Sequence, residues 1–109
     1  MTGRKHAMTK YRAIKTNGYA SKREAKRAAE LKLLAKAGKI QELREQVVFV
    51  LAPSVVIGGR KRPQMKYIAD FCYIENGKAV IEDVKGVLTA VYKLKRHLMA
   101  AQGYEILET

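Results

Sequence analysis

The dipeptide Asn76-Gly77 lies between two alternating apolar runs, and it constrains the fold more than any other feature of this chain. A two-residue type I′ turn needs positive φ at both central positions, which Asn and Gly tolerate and most residues resist. The segment YIADFCYIENGKAVIEDVKG, Tyr67 to Gly86, therefore reads as an antiparallel hairpin with a definite register. Counting outward from the turn, Glu75 faces Lys78, Ile74 faces Ala79, Tyr73 faces Val80, Cys72 faces Ile81 and Phe71 faces Glu82. The next pair is Asp70 with Asp83. Opposed side chains share a sheet face with Cβ atoms roughly 4.5–5.5 Å apart, where like charges destabilise the sheet. The two-residue period puts Lys85 on the same face and turns Glu82 to the other. Such a convergence makes sense around a cation, and a divalent metal held by oxygen ligands is the candidate.

The rest of the chain supplies the frame. Ser21-Lys22-Arg23-Glu24 opens a helix with a capping box and ends near Gly38. Glu24, Ala28, Leu31 and Ala35 fall on one stripe, so Glu24 is either a helix cap or an acid aligned with the core-facing side. Gln46 to Leu51 reads as a short buried strand stopped by Pro53, and Ser54 to Gln64 as a basic loop around Gly58-Gly59. A second helix spans about Thr89 to Ala101, with Val91, Leu94, Leu98 and Ala101 on one stripe and Gly103 at its C-cap. Tyr104 to Leu107 is the last strand. The expected fold is α/β, an α+β mixed sheet flanked by helices in the order α-β-β-β-α-β. Tyr67, Phe71 and Tyr73 share the face opposite Asp70 and read as core, with Cys72 as a buried small hydrophobe.

Charge then limits the partner. The chain has 109 residues, enough for one domain, and carries 22 Lys+Arg against 10 Asp+Glu for a formal net charge of +12, which implies a polyanionic partner. Residues 1–20 hold basic and no acidic residues and read as a flexible basic arm, leaving 21–109 as a single domain. Lys22, Arg23, Lys26 and Arg27 give the first helix a basic face, for phosphates or simply for solvent. Arg60, Lys61 and Arg62 collect in the Gly58–Pro63 loop, either to contact DNA or as a plain connection. One cysteine and two histidines argue against a disulfide and a structural zinc site and fit a reducing cytoplasm. No run approaches the roughly 18 apolar residues of a membrane span.

Asp70, then Asp83-Val84-Lys85 at the end of the next strand, then a helix, resembles the motif of the PD-(D/E)XK nuclease superfamily. The wider pattern SKREAKRAAELKLLAKAGKI, YIADFCY and IEDVKG…YKLKRHLM resembles small phage- and prophage-encoded endonucleases related to Holliday-junction resolvases. The resemblance runs from about Thr16 to the C-terminus; it departs from the motif in having Ile68-Ala69, not a proline, before Asp70. It implies a restriction-endonuclease-like core. It also implies a Mg²⁺-dependent endodeoxyribonuclease, with Mn²⁺ able to substitute, acting on branched DNA in phage recombination or packaging within the bacterial host cytoplasm. By the same resemblance Asp70 and Asp83 bind the metal and Lys85 orients or activates the attacking water. Glu24 is then the first-helix acid of resolvase-like members. Val84 can add a backbone carbonyl ligand, and Lys93, Lys95 and Arg96, with Tyr92, approach the DNA backbone. A homodimer is expected, since a four-way junction needs two incisions, with Leu33 and Leu34 outside the core stripe as interface. Neither a membrane nor a small-molecule cofactor is expected. The alternative is a non-catalytic DNA- or RNA-binding protein in which Asp70, Asp83 and Lys85 form a structural ion cluster.

Overall fold

A computed structural model describes residues 18–109, so residues 1–17 of the expected basic arm lie outside the described residues. The elements are α1 (Lys22–Lys36), β1 (Gln41–Ala52), β2 (Val55–Ile57), β3 (Arg60–Arg62), β4 (Met65–Glu75), β5 (Lys78–Asp83), α2 (Ala90–Ala101) and β6 (Ile106–Glu108). Four strands form one mixed sheet in the order β1-β4-β5-β6, and β2 and β3 pair only with each other. β1 and β5 run antiparallel to β4, whereas β6 returns parallel to β5 after α2. The described residues thus form an α+β fold, with two helices on a mixed sheet.

The hairpin register is the one the turn dictates: Glu75 pairs with Lys78 and Phe71 with Glu82. Asn76 and Gly77 both have positive φ, 53° and 77°. Two helix ends also follow their local signals. The Ser21 hydroxyl accepts the Glu24 N–H at 3.0 Å. At the end of α2, Gly103 takes φ +92° just beyond the Gln102 cap, and the Tyr104 N–H reaches back to the Met99 carbonyl at 2.9 Å.

Three expectations are corrected by tertiary pairing. The strand expected at Gln46–Leu51 extends over Gln41–Ala52, because the apolar run Phe71–Ile74 of β4 offers a ladder that even the polar segment Gln41–Glu45 occupies. It is an edge strand, and positive φ at Glu42 and Gln46 interrupts its regularity, a common way of blunting an exposed edge. The basic loop is itself a hairpin, β2–β3, turning on Gly58-Gly59 with φ of 58° and 78°. On α2 the buried positions are Tyr92 and Met99, while Val91 and Leu94 are 62% and 57% exposed. The large Tyr92 ring takes the inward place because its hydroxyl finds a partner in Glu108, so the helix is rotated away from its Val91–Leu94 stripe.

The core lies on both faces of the sheet. Ala28, Leu31, Ile40, Phe71 and Tyr73 gather beneath α1. Tyr67, Ala69, Cys72 and Ile81 gather beneath Tyr92 and Met99 of α2. Along β5 the sides alternate regularly, with Val80 and Val84 toward α1 and Ile81 toward α2. Along β4 they do not: Phe71 and Tyr73 face α1, whereas Tyr67 and Ala69 face α2. The chain changes sides at Asp70, opposite the positive-φ residue Gln46. Tyr67 is therefore core, but not on the face shared by Phe71 and Tyr73.

Glu82 locks this arrangement. Its carboxylate is fully buried, and it accepts Arg27 Nε at 2.6 Å, Arg27 Nη2 at 3.0 Å, the Tyr73 hydroxyl at 2.6 Å and the Thr109 hydroxyl at 3.0 Å. Removing the guanidinium leaves a buried charge without its counter-ion, so Arg27→Ala is expected to destabilise by about 3–5 kcal/mol in urea unfolding. A loss below about 1 kcal/mol would mean that α1 is not held through Glu82.

Candidate active site

The end of β5 is positioned from both sides. The Thr109 N–H donates to the Asp83 carbonyl and the Lys85 N–H to the Thr109 carbonyl, each at 3.0 Å, so β6 grips Asp83-Val84-Lys85 as a unit. From α1, Arg23 Nη1 donates to the Lys85 carbonyl at 2.9 Å. Because Glu82 points to α1, alternation sends the Asp83 side chain to the α2 side, where Asp70 meets it.

Asp83 is almost fully buried, and its Oδ2 accepts the Tyr67 hydroxyl at 2.5 Å and the Lys85 ammonium at 3.0 Å. That ammonium rests on the Tyr92 ring, 3.7 Å from its centre, a cation–π contact that fixes where the charge sits. Asp70 Oδ2 accepts the Val84 N–H at 2.9 Å. Burial, then a hydrogen bond shared with the Asp83 carboxylate, pushes Asp70 up to about 7; the Val84 N–H opposes this only in part. A rise is the direction expected of a carboxylate brought close to a second one without a cation between them. Burial, then the nearby Asp83 and Glu45 charges, also raises Glu24. The Tyr67 hydroxyl is raised by burial and by its bond to Asp83 and remains a donor.

Asp70, Asp83, Val84, Lys85 and Glu24 line one cleft of about 430 Å³, closed by Tyr67 and Tyr92 and flanked by Lys66 and Lys95. A hollow of about 930 Å³ elsewhere, beside Phe49, Cys72, Ile81 and Tyr104, is larger but contains neither aspartate nor Lys85. The chemistry, not the volume, locates the site.

The other expected residues divide by their surroundings. Glu24 does not turn its carboxylate back as a cap; it lies against β1, where Gln46 Nε2 donates at 3.5 Å. No three His, Cys, Asp or Glu side chains among the described residues form a ready metal cage, so Glu24 lines the cleft without completing a three-ligand group. Val84 presents its N–H to Asp70, and its side chain packs under α1. Arg27 is engaged by Glu82 and Glu30, and Arg96 by Glu108 at 2.8 Å, so both serve the fold's own ion pairs. Arg23 reaches the Lys85 carbonyl, whereas Lys22, Lys26, Lys93 and the β3 cations Arg60, Lys61 and Arg62 are exposed. Leu33 is exposed, but Leu34 packs against the α1 core.

Sequence reasoning missed the roles of Tyr67, Thr109 and Lys66, and of Tyr92 as the seat of the Lys85 ammonium. Only Lys66 left a signal, four residues before Asp70 on the same strand; the tyrosines and Thr109 acquire their roles through contacts across the sheet.

The donor set fits a hard divalent ion. Mg²⁺ uses one or two carboxylates, keeps several waters and binds substrate phosphate oxygens, so it does not need a third protein acid. A pH signature follows. Asp70 is raised above its ordinary 3.8, so its contribution to stability is present while it is protonated and is lost as pH rises from about 4 to about 7. Glu24 adds to this in the same direction. Glu82 acts with the opposite sign: burial would raise it, but bonds from Arg27, Tyr73 and Thr109 hold it below 4.5, so its loss occurs at more acid pH. In EDTA the unfolding midpoint should fall between about pH 5 and about pH 7.5. Asp70→Asn, which removes the raised carboxyl and whose amide can donate to Asp83, should remove most of that fall. Mg²⁺ should raise the wild-type midpoint above pH 7 but not that of Asp70→Asn. Identical pH profiles for the two proteins would show that the Asp70 carboxyl is not raised.

Neither the curated proteins nor the solved structures contain a match to this chain. A family model does match, over residues 5–109, and the chain belongs to that family, which is described as "Protein of unknown function (DUF1064)".

Proposed function

We propose that this protein is a Mg²⁺-dependent endodeoxyribonuclease that hydrolyses phosphodiester bonds in branched DNA and works as a homodimer. The observation that carries the reading is the half-buried Asp70 beside the buried Asp83, with the Lys85 ammonium 3.0 Å from Asp83, in a cleft flanked by lysines on a chain of net charge +12. Two aspartates held side by side are a destabilising arrangement with no benefit to a protein that only attracts phosphates. When bound, Mg²⁺ would activate water and neutralise charge on the scissile phosphate. The chain's own residues do the rest. Tyr67 and the Val84 N–H orient the two carboxylates. Lys85, seated on Tyr92, supplies a fixed positive charge for a phosphate oxygen, and Lys66 and Lys95 guide the strand to the cleft. The described residues present one such site, so two incisions across a junction call for a second copy.

A second reading has one observation in its favour: the Asp83–Lys85 ion pair already balances one of the two charges, as a structural cluster in a non-catalytic DNA- or RNA-binding protein would. Nicking of matched four-way junction, Y-form and linear DNA, with Mg²⁺ or EDTA, separates the two. Cleavage is expected with Mg²⁺, strongest on the junction and absent in EDTA. Lys85→Ala should lower the rate about 10²–10³-fold, the usual cost of losing one charge-stabilising donor. Asp83→Asn should leave no measurable cleavage. Wild-type protein that binds all three DNAs but cuts none would support the second reading, and full activity in Asp83→Asn would refute the site.

A further inference from the structure

Every residue from Pro53 to Lys66 is exposed, so among the described residues neither face of the β2–β3 hairpin is covered by the domain from which it extends. A free two-stranded ribbon is marginal in water, yet this one displays three aliphatic side chains, Val55, Val56 and Ile57, at 46%, 69% and 58% exposure. Its pairing is Val55 with Arg62, Val56 with Lys61 and Ile57 with Arg60. Opposed residues share a face, so both faces carry the same pattern: aliphatic on β2, cationic on β3. The ribbon therefore has an apolar edge and a basic edge. The pattern continues into the main sheet, where Val50 of β1 pairs with Lys66 of β4, and Lys66 lines the cleft beside Asp70. At the tip, Gly58 and Gly59 both have positive φ, and a Cβ on either would meet no atom within 4 Å. The turn is thus bare backbone, able to approach a surface closely.

We propose that the β2–β3 ribbon is a DNA-binding arm that lies in a groove of the duplex flanking the cut. Its β3 cations would engage phosphates, and its β2 aliphatic edge would rest on sugar and base edges. This rests on DNA being the partner, but not on any cleavage chemistry. The dimensions suit it. The major groove is roughly 12 Å wide and admits a two-stranded ribbon. From Asp70 to Met65 is about 17 Å of strand and to Arg60 at most about 35 Å, which sets the arm roughly five to ten base pairs from the scissile phosphate. A protein partner would be expected to bring carboxylates to the cations, but Arg60, Lys61 and Arg62 on β3 and then Lys66 at the cleft mark a line of positive charge that leads toward a phosphate substrate.

The test is binding in EDTA, where no cleavage enters, with a fluorescein-labelled duplex read by anisotropy across a range of salt. Arg60→Ala, Lys61→Ala and Arg62→Ala combined should weaken binding and reduce the slope of log affinity against log salt by about 2.7, or 0.9 per phosphate contact. Val55→Ser, Val56→Ser and Ile57→Ser combined should weaken binding about tenfold with the salt slope unchanged, because apolar contacts release no counterions. A third variant, with residues 53–64 replaced by Asn-Gly between the paired residues Ala52 and Met65, should show both losses. It should also lose protection at the duplex positions five to ten base pairs from the cleft. Unfolding midpoints for all three should match the wild type, since the ribbon covers no core. Wild-type affinity and slope in the aliphatic variant would overturn the proposal. So would loss of self-association in sedimentation with DNA binding intact, which would make the ribbon a protein interface. Either result would leave cleavage in the nicking assay, and with it the active-site assignment, unaffected. A wild-type chain without affinity for this duplex would overturn the ribbon proposal, and one that also fails to bind a four-way junction would overturn both.

Discussion

A carboxylate with no exposed surface has to be compensated, and around Glu82 the compensation organises the molecule. Its partners come from α1 (Arg27), from β4 (Tyr73) and from the residue after β6 (Thr109), so one buried charge ties three separate segments to β5. With Glu82 committed to the α1 side, strand alternation leaves Asp83 no choice but the α2 side. The acid that holds the fold together and the acid that faces the cleft are adjacent residues with opposite environments. One is held ionised by a guanidinium and two hydroxyls; the other is pressed against a second carboxylate.

The second constraint is the change of sides at Asp70. Regular alternation along β4 would have put Ala69 and Tyr67 under α1 with Phe71 and Tyr73. Instead they pack under α2 with Cys72, and the irregular backbone at Gln46 on the neighbouring strand lies opposite the switch. This allows the Tyr67 hydroxyl to reach Asp83 from the same side as Lys85. Polar groups become part of a core only when each finds a partner, and here each does: Tyr67 with Asp83, Asp70 with the Val84 N–H, Lys85 with Asp83 and the Tyr92 ring.

Basic residues that look alike along the chain fall into two populations. Arg27 and Arg96 are drawn into ion pairs with Glu82 and Glu108, and Arg23 into a bond with the Lys85 carbonyl. The exposed lysines and the β3 cations keep their charge toward solvent. Arginine takes these paired positions because its planar fork satisfies a carboxylate or carbonyl at several points while remaining charged. Among the described residues the free positive charge is therefore less than the sequence suggests, and it includes the ribbon, the cleft lysines and the exposed face of α1.

What the sequence determined by itself was local. Asn76-Gly77 settled the β4–β5 register, because two consecutive positive-φ positions leave a hairpin one alignment, and that alignment opposes Asp70 and Asp83 before any other element is placed. Ser21 and Gly103 marked helix ends for equally local reasons, unsatisfied N–H groups and a left-handed turn. The α1 stripe of Glu24, Ala28 and Leu31 was legible because the helix period is rigid. Tertiary structure decided everything that depends on competition between surfaces. Which stripe of α2 turns inward was settled by Tyr92 finding Glu108; how far β1 extends, by the ladder offered by Phe71–Ile74; which arginines stay free, by the carboxylates, Glu82 inside and Glu108 at the surface, that claim them. The change of sides at Asp70 belongs to the same class. No residue there announces it, since it arises only when two cores on opposite faces of one sheet must both be filled.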